Sequence, residues 1–218
     1  MSLDFLAVHA GPDAIARSPM EGLARAAGAR FEVRDGWNVA VAFPSTAVAS
    51  VAVASVPQAP GTPAPPVGWA DTSHERTLEL QAPADELDAV EHLRLGEAVR
   101  AGDAWWCRLT RTRALILGGV MPVAGALDVT STYASLTLLG PMARETIARF
   151  CALDLRPRMA PVGALRPGSV ARQPGIVIRE AEDRYRLLFG WATGEYVWSV
   201  VADAAEHLGG RPVGIDQL

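Results

Sequence analysis

Residues 128–151 read DVTSTYASLTLLGPMARETIARFC, an apolar alternation that stops at Gly140-Pro141 and resumes with a different period. Leu136 and Leu138 flank Thr137, the spacing of a half-buried strand over 134–139. Beyond the Gly-Pro break, Ile147, Phe150 and Cys151 keep helical spacing, which predicts a helix over 142–152. A strand therefore turns directly into a helix. The earlier stretch SHERTLELQAP (73–83) shares Ser-x4-Leu-x-Leu-x-x-Pro with STYASLTLLGP (131–141), and this similarity suggests a duplicated unit.

Working outward, the order strand, helix, hairpin occurs twice. In the first half, PADELDAVEHLRLGEAVRAG carries apolar residues at 87, 90, 93 and 95, which predicts a helix closed by Gly102. DAWWCRLTRTRALILGG follows as a hairpin, with Trp106, Leu109, Leu115 and Leu117 as inward candidates. In the second half, SVARQP, IVIRE and RYRLLFG read as strands after a loop with three prolines, and a last helix spans about 193–208. The expected fold class is α+β, two pseudo-equivalent strand-helix-hairpin halves packed as one domain over residues 1–218.

The opening third is punctuated differently. In SPME, Ser18 is placed as N-cap, Pro19 at the first helical position and Glu21 at the third, a capping box, with Gly28 ending the helix. ARFEVRDGWNVAVAF then reads as two strands around an Asp35-Gly36 turn. No charged residue lies between Asp35 and Asp71. VAVAFPSTAVASVAVASV (39–56) is rich in Ala, Ser and Thr and broken by Pro44, so it reads as a buried strand (39–43) and a further extended or helical segment (46–56), not as a membrane span. A Pro-rich linker at about 56–67 follows.

Composition excludes several function classes. Half of the 218 residues are apolar, enough for a sizeable core, and the net charge is −4. Nothing basic interleaves with aromatics, which argues against nucleic acid. All twenty basic residues are Arg, so Schiff-base chemistry on Lys and a phosphate-loop Lys are absent. Cys107 and Cys151 read as buried core thiols. The start MSLDFLAVHAG lacks the pattern of a secretory signal, so a cytoplasmic location is expected. His9, His74, His92 and His207 lack ligand spacing, and His74 beside Ser73 and Glu75 would sit on a strand whose neighbours point to opposite faces. The six tryptophans fill cores, line a planar-ligand pocket or form an interface. Trp105 and Trp106 must face opposite sides of their strand.

SPMEGLARAAGARFEVRDGWNVAVAF, GWADTSHERTLELQAP, LDVTSTYASLTLLGPMARETI and the closing VGIDQL together resemble the N-terminal, folate-binding-type domain of the glycine-cleavage T-protein (aminomethyltransferase) family. CALDLRPRMAPVG, the compact IVIREAEDRYRLLFG and a Trp on the last helix are most similar to the gamma subunit of heterotetrameric sarcosine oxidase. Departures accompany the match. Where the family carries an Asp pair after the first hairpin, one of them held against the reactive folate nitrogen, this chain reads LILGG (115–119). Where the family has Gly-Tyr-Thr-Gly-Glu after an Arg, it has Arg179 and then EAEDRY. The family continues beyond VGIDQL into a C-terminal barrel.

The resemblance implies a non-catalytic, gamma-type subunit of a sarcosine oxidase-like complex that oxidises N-methyl amines, with one-carbon transfer to tetrahydrofolate. FAD, FMN and NAD would sit on flavin-containing partner subunits, and a hetero-oligomer is expected, with neither nucleic acid nor membrane as partner. The alternative is a folate-dependent aminomethyl- or methyltransferase acting alone or with a partner. Arg179, Tyr185 and Glu195 are then the folate-pocket candidates, Glu195 as salt-bridge partner of the pterin. Trp105, Trp106, Arg186, Trp191 and Trp198 are the interface candidates. A role assisting iron–sulfur or RNA-modifying enzymes is disfavoured, because Cys151 follows Arg149-Phe150 and not a Lys-Gly pair.

Overall fold

A computed structural model describes residues 15–44, 64–119 and 123–218. The segment expected at 46–56 and most of the linker expected at 56–67 lie outside the described residues. The elements are β1 (Ala16–Arg17), α1 (Glu21–Ala26), β2 (Arg30–Arg34), β3 (Trp37–Ala42), β4 (Gly68–Asp71), β5 (Thr77–Gln81), α2 (Ala84–Asp88), β6 (Ala98–Ala101), β7 (Ala104–Thr110), β8 (Arg113–Gly118), β9 (Leu127–Asp128), β10 (Tyr133–Leu139), α3 (Ala143–Ala148), β11 (Leu165–Val170), β12 (Gln173–Ala181), β13 (Arg184–Gly190), α4 (Gly194–Glu206) and β14 (Arg211–Pro212). The fold is mixed α+β, mostly sheet with few helices.

The opening stretch behaves as its pattern dictates. β10 lies inside a six-stranded sheet of order β11-β12-β13-β10-β4-β14. Ala134, Leu136 and Leu138 are fully buried and share a cluster with Ile147 of α3 and Val197 and Val201 of α4. Each buried Leu contributes on the order of 1.5–3 kcal/mol. Ser135 and Thr137 point to the other face, where the Thr72 hydroxyl meets Ser135 Oγ at 2.8 Å and Thr137 Oγ1 at 3.2 Å. The break needs glycine: Gly140 has φ +112°, and a Cβ there would lie 2.6 Å from the Pro66 carbonyl oxygen.

Alternation decides the layers. On one face of the six-stranded sheet, Tyr185, Leu187 and Phe189 pack beneath α1, α3 and α4. On the other, Ile176, Ile178 and Leu188 meet Ala98, Cys107, Leu115 and Leu117. These last four belong to a five-stranded sheet of order β6-β7-β8-β5-β9. Its outer face buries Leu78, Ala104 and Ile116, covered by Trp106, Val123 and Ala126. Helices, six-stranded sheet and five-stranded sheet thus stack as layers. β1-β3-β2 form a separate three-stranded sheet.

Local signals succeed and fail for identifiable reasons. Asp35 (φ +49°) and Gly36 (φ +77°) make the expected hairpin turn. Gly28 (φ +83°) follows α1, where the Ala29 N–H reaches the Ala24 carbonyl at 3.0 Å. The expected capping box does not form: α1 begins at Glu21 with Met20 at its N-cap, two residues later than Ser18 and Pro19 predicted. Ser18 Oγ accepts the Met20 N–H at 3.0 Å, but the Glu21 carboxylate turns to Arg25 at 2.6 Å instead of returning to residue 18.

The long helix predicted after Pro83 stops at Asp88. Glu91 and His92 take positive φ, and the buried Arg108 guanidinium collects the carbonyls of Leu93 at 2.8 Å, Arg111 at 2.9 Å and Ala84 at 3.2 Å. That clamp gathers the 84–97 segment into turns, and Gly102 serves the β6–β7 hairpin instead of a helix end. SVARQP is likewise two strands, split by a turn at Ala171-Arg172.

Candidate functional site

Between the two large sheets opens a polar cleft of about 310 Å³. Its floor is Trp105 and Leu117, its far wall is β12 and β13, and Gly118 and Asp103 stand at its mouth. A bulge in β12 between Arg179 and Ala181 leaves Glu180 outside the ladder register and on the cleft side. There its carboxylate takes Arg184 Nε at 2.8 Å on one oxygen and Arg186 Nε at 2.5 Å on the other. Arg186 also donates to Glu75, on the β4–β5 connection. Glu180 and Arg186 are buried, whereas Arg100 at the rim is exposed.

The electrostatics follow from this packing. Burial alone would lower the Arg186 pKa, but the facing charges of Glu75 and Glu180 raise it well above the usual arginine value. Arg186 stays a cation, and both acids are held as its counter-ions. Burial pushes the nearby Cys107 thiol far up, so it is no nucleophile. Cys151 is buried as well and also raised.

A second polar cluster lies against the three-stranded sheet. Asp71 is buried. Its Oδ1 accepts the Ser73 N–H at 3.0 Å, and Ser18 donates to the carboxylate. Burial drives its pKa up more than these bonds lower it. His74 beside it is pushed down by burial, so it is neutral near pH 7. Around them only a water-sized void of about 10 Å³ remains. No group of His, Cys, Asp and Glu among the described residues has the arrangement of a metal site.

The candidates read from sequence divide. Arg179 and Tyr185 do come together: the guanidinium carbon stands 5.6 Å from the ring centroid. Both are buried on the helix side, and Arg179 donates to the Ala160 and Glu182 carbonyls at 2.9 Å each. Glu195 is exposed in the first turn of α4. Its Oε1 stands 3.9 Å from where a Cβ on Gly22 of α1 would lie, and the inter-sheet cleft is lined by none of the three. The three do not line one pocket.

Of the interface candidates, Trp198 is a core residue, edge-on to Trp69 at 6.1 Å. Arg186 is likewise satisfied within the chain. Trp191 is half-buried against Trp37 at 6.0 Å. Trp105 and Trp106 face opposite sides as expected, the first toward the inter-sheet cluster and the second toward the outer one. Trp106 is therefore not on the face of Leu109, Leu115 and Leu117, contrary to the inward set read from the sequence. Sequence reasoning missed Glu75, Glu180 and Arg108. For Glu180 and Arg108 the one signal was a charge at a position whose strand alternation demanded an apolar residue; Glu75, on a connection between strands, gave none.

No protein-family model matches the chain, and no curated protein matches it in sequence. Solved structures do. A chain of the heterotetrameric sarcosine oxidase from Corynebacterium sp. U-96, in complex with pyrrole 2-carboxylate, superposes with TM-score 0.58 at 20% identity, covering 68% of this chain and 88% of that one. Glycine cleavage system aminomethyltransferase T from Bartonella henselae superposes with TM-score 0.64 at 14% identity, covering 93% of this chain and 60% of that one. The chain thus spans less than two thirds of the aminomethyltransferase and most of a sarcosine oxidase chain shorter than itself. Its fold is the one shared by these two proteins, both of the kind that its own motifs resemble.

Proposed function

We propose that this chain is a non-catalytic, gamma-type subunit of a multi-subunit oxidase acting on N-methyl amines in the cytoplasm, with flavins on its partners. One observation carries the reading: of the three acids lining the inter-sheet cleft, Glu180 is paired with Arg184 and Arg186, and Glu75 with Arg186, while the third, Asp103, lies on the β6–β7 hairpin. Where the resemblance places a free carboxylate beside a reactive folate nitrogen, the cleft wall is Leu117 and Gly118. A carboxylate already held by a guanidinium is engaged before a pterin amine arrives, and that amine would have to compete with the arginine for it. The buried carboxylate of the cleft, Glu180, is thus committed to arginines, which disfavours tetrahydrofolate as a reacting group there.

The length relation supports the same reading, since the sarcosine oxidase chain that superposes is a small one. The runs β6-β7-β8-β5 and β11-β12-β13-β10 have the same strand order, each with a short helix after its first strand in sequence. We read them as pseudo-equivalent halves of one domain over 1–218, a scaffold kept while its catalytic acid was lost. The test is twofold. Purified from its source cells, the tagged full-length chain should carry flavin absorbance near 450 nm and amine-dependent oxidase activity. Alone, it should give no heat with tetrahydrofolate. Micromolar folate affinity, about −8 kcal/mol, with turnover by the isolated chain, would instead establish the transferase alternative.

A further inference from the structure

We propose that the groove between β6 and the 159–166 segment is a docking surface for an extended protein segment carrying an apolar side chain flanked by carboxylates. The groove encloses about 360 Å³ and is lined by Leu95, Ala98, Val99, Pro161, Val162 and Arg166, among others. Three large apolar side chains crowd its edges in water: Leu95 is 59%, Val162 55% and Met159 54% exposed. They are three of the seven large apolar residues exposed among the described residues. An apolar cluster of this kind on a soluble surface marks a recognition site.

The floor is rigid, as a docking site requires. Glu97 and Ala164 bridge the two large sheets here. The Ala98 N–H meets the Gly163 carbonyl at 2.7 Å, and the Leu165 N–H meets the Gly96 carbonyl at 2.9 Å. Arg166 closes one wall by donating to the carbonyls of Met159 at 2.6 Å, Leu165 at 2.9 Å and Gly96 at 3.1 Å.

Charge selects the occupant. All of Arg166's hydrogen bonds go to carbonyls and none to a carboxylate, so its positive charge is left uncompensated. Arg94 and Arg158, exposed beside Leu95 and Met159, have no ion pair among the described residues. Glu97 is the one acid lining the groove, and its Oε2 accepts the Arg94 main-chain N–H at 3.3 Å. In a chain of net charge −4 this face is cationic, which fits an acidic partner and repels a second copy's like face. Aliphatic side chains with Met and Arg are the composition of a protein interface, and no aromatic lines the groove to stack a base. The inference rests on the subunit reading only for who the partner is; the site stands on the groove.

The probe is a fluorescein-labelled twelve-residue peptide alternating Leu and Phe with Asp and Glu, titrated with the full-length protein by anisotropy. A dissociation constant on the order of 10–100 µM is expected, weakening with salt. Arg158→Glu and Met159→Asp should each weaken it at least about fivefold, with unchanged circular dichroism and thermal midpoint because both side chains are exposed. A Lys-for-acid peptide should bind at least roughly tenfold more weakly. The proposal is overturned if the acidic peptide does not bind, if the Lys peptide binds equally, or if the variants bind like wild type. It is equally overturned if a dT20 oligonucleotide or vesicles of equal phosphatidylglycerol and phosphatidylcholine bind more tightly than the peptide. Peptide binding by a chain that purifies without flavoprotein would keep the groove and discard the subunit reading.

Discussion

Replacing Arg186 with Met removes the charge while keeping most of the side-chain volume, so packing loss is small and electrostatics decide the outcome. In the wild type, Glu180 and Arg186 are each about 5% exposed at the side chain, and Glu75 is 28% exposed. Breaking a buried pair by deleting one partner costs about 3–5 kcal/mol, because the surviving charge is left in a poorly solvating site. Two features reduce that figure. Arg184 still donates to Glu180 at 2.8 Å, and the partly exposed Glu75 can rehydrate. The expected loss is therefore about 2–4 kcal/mol. For a chain of this size each kcal/mol lowers the melting midpoint by about 2–4 °C, so a fall of roughly 4–16 °C is expected. Urea unfolding followed by tryptophan fluorescence at pH 7 gives the free energy directly. The double variant Arg186→Met with Glu180→Leu, which removes the stranded acid, should recover at least half of the loss. A single variant within about 0.5 kcal/mol of wild type, or a double variant less stable than the single, would refute the argument that the network is a desolvated charge cluster.

Three further outcomes follow from named contacts. Asp71→Asn keeps the oxygen that Ser73 and Ser18 address but removes the buried charge. The folded protein holds the Asp71 proton more tightly than the unfolded chain, so its favourable contribution is full below the unfolded pKa near 4 and is lost as pH rises through the higher folded value. The variant should thus gain stability over wild type at pH 7–8 and lose that advantage below about pH 4; a constant difference across pH would contradict it. Gly214→Ala would place a Cβ 1.8 Å from the Val41 carbonyl oxygen, a clash of backbone with backbone, so a loss above about 3 kcal/mol or no soluble protein is expected, checked by expression yield and melting. Both thiols are buried with raised pKa. Dithionitrobenzoate at pH 8 should therefore titrate neither within minutes until guanidinium is added, when both react.

The sequence was legible where short-range rules suffice. The Asp35-Gly36 hairpin and the final helix depend on neighbours a few residues away, whereas the Gly140-Pro141 break and the buried thiols were legible from residue type although remote partners enforce them, Pro66 at Gly140 and Ile178 at Cys107. It was not legible where partners are remote. Arg186 meets Glu75 across 111 positions, and nothing near either residue marks the pair. The helix predicted after Pro83 failed because Arg108, well downstream, draws its carbonyls into turns. Alternation with Ile176 and Ile178 already puts Glu180 on the cleft side, but the arginines that hold it come from β13, and that pairing is invisible in a single strand. Trp198, read as an interface residue from its type, is covered by Trp69 and Phe43, which come from other elements.

The arginines connect these points. Among the described residues, those in the interior are immobilised by acceptors the chain itself provides: Arg108 and Arg179 by main-chain carbonyls, with Asp88 as well for the first, and Arg186 by two carboxylates. A guanidinium whose donors are held by acceptors of its own chain acts as a structural strut, most completely in Arg108, where Nε, Nη1 and Nη2 are all engaged. Arg94, Arg158 and Arg166 differ in place: they stand at or near the surface beside exposed apolar side chains, with no carboxylate partner among the described residues. The same residue type thus pairs acids of the inter-sheet cleft from within and leaves a cationic groove outside. The proposed docking of an acidic segment would meet that charge from outside, and loss of peptide binding in Arg158→Glu reads it directly.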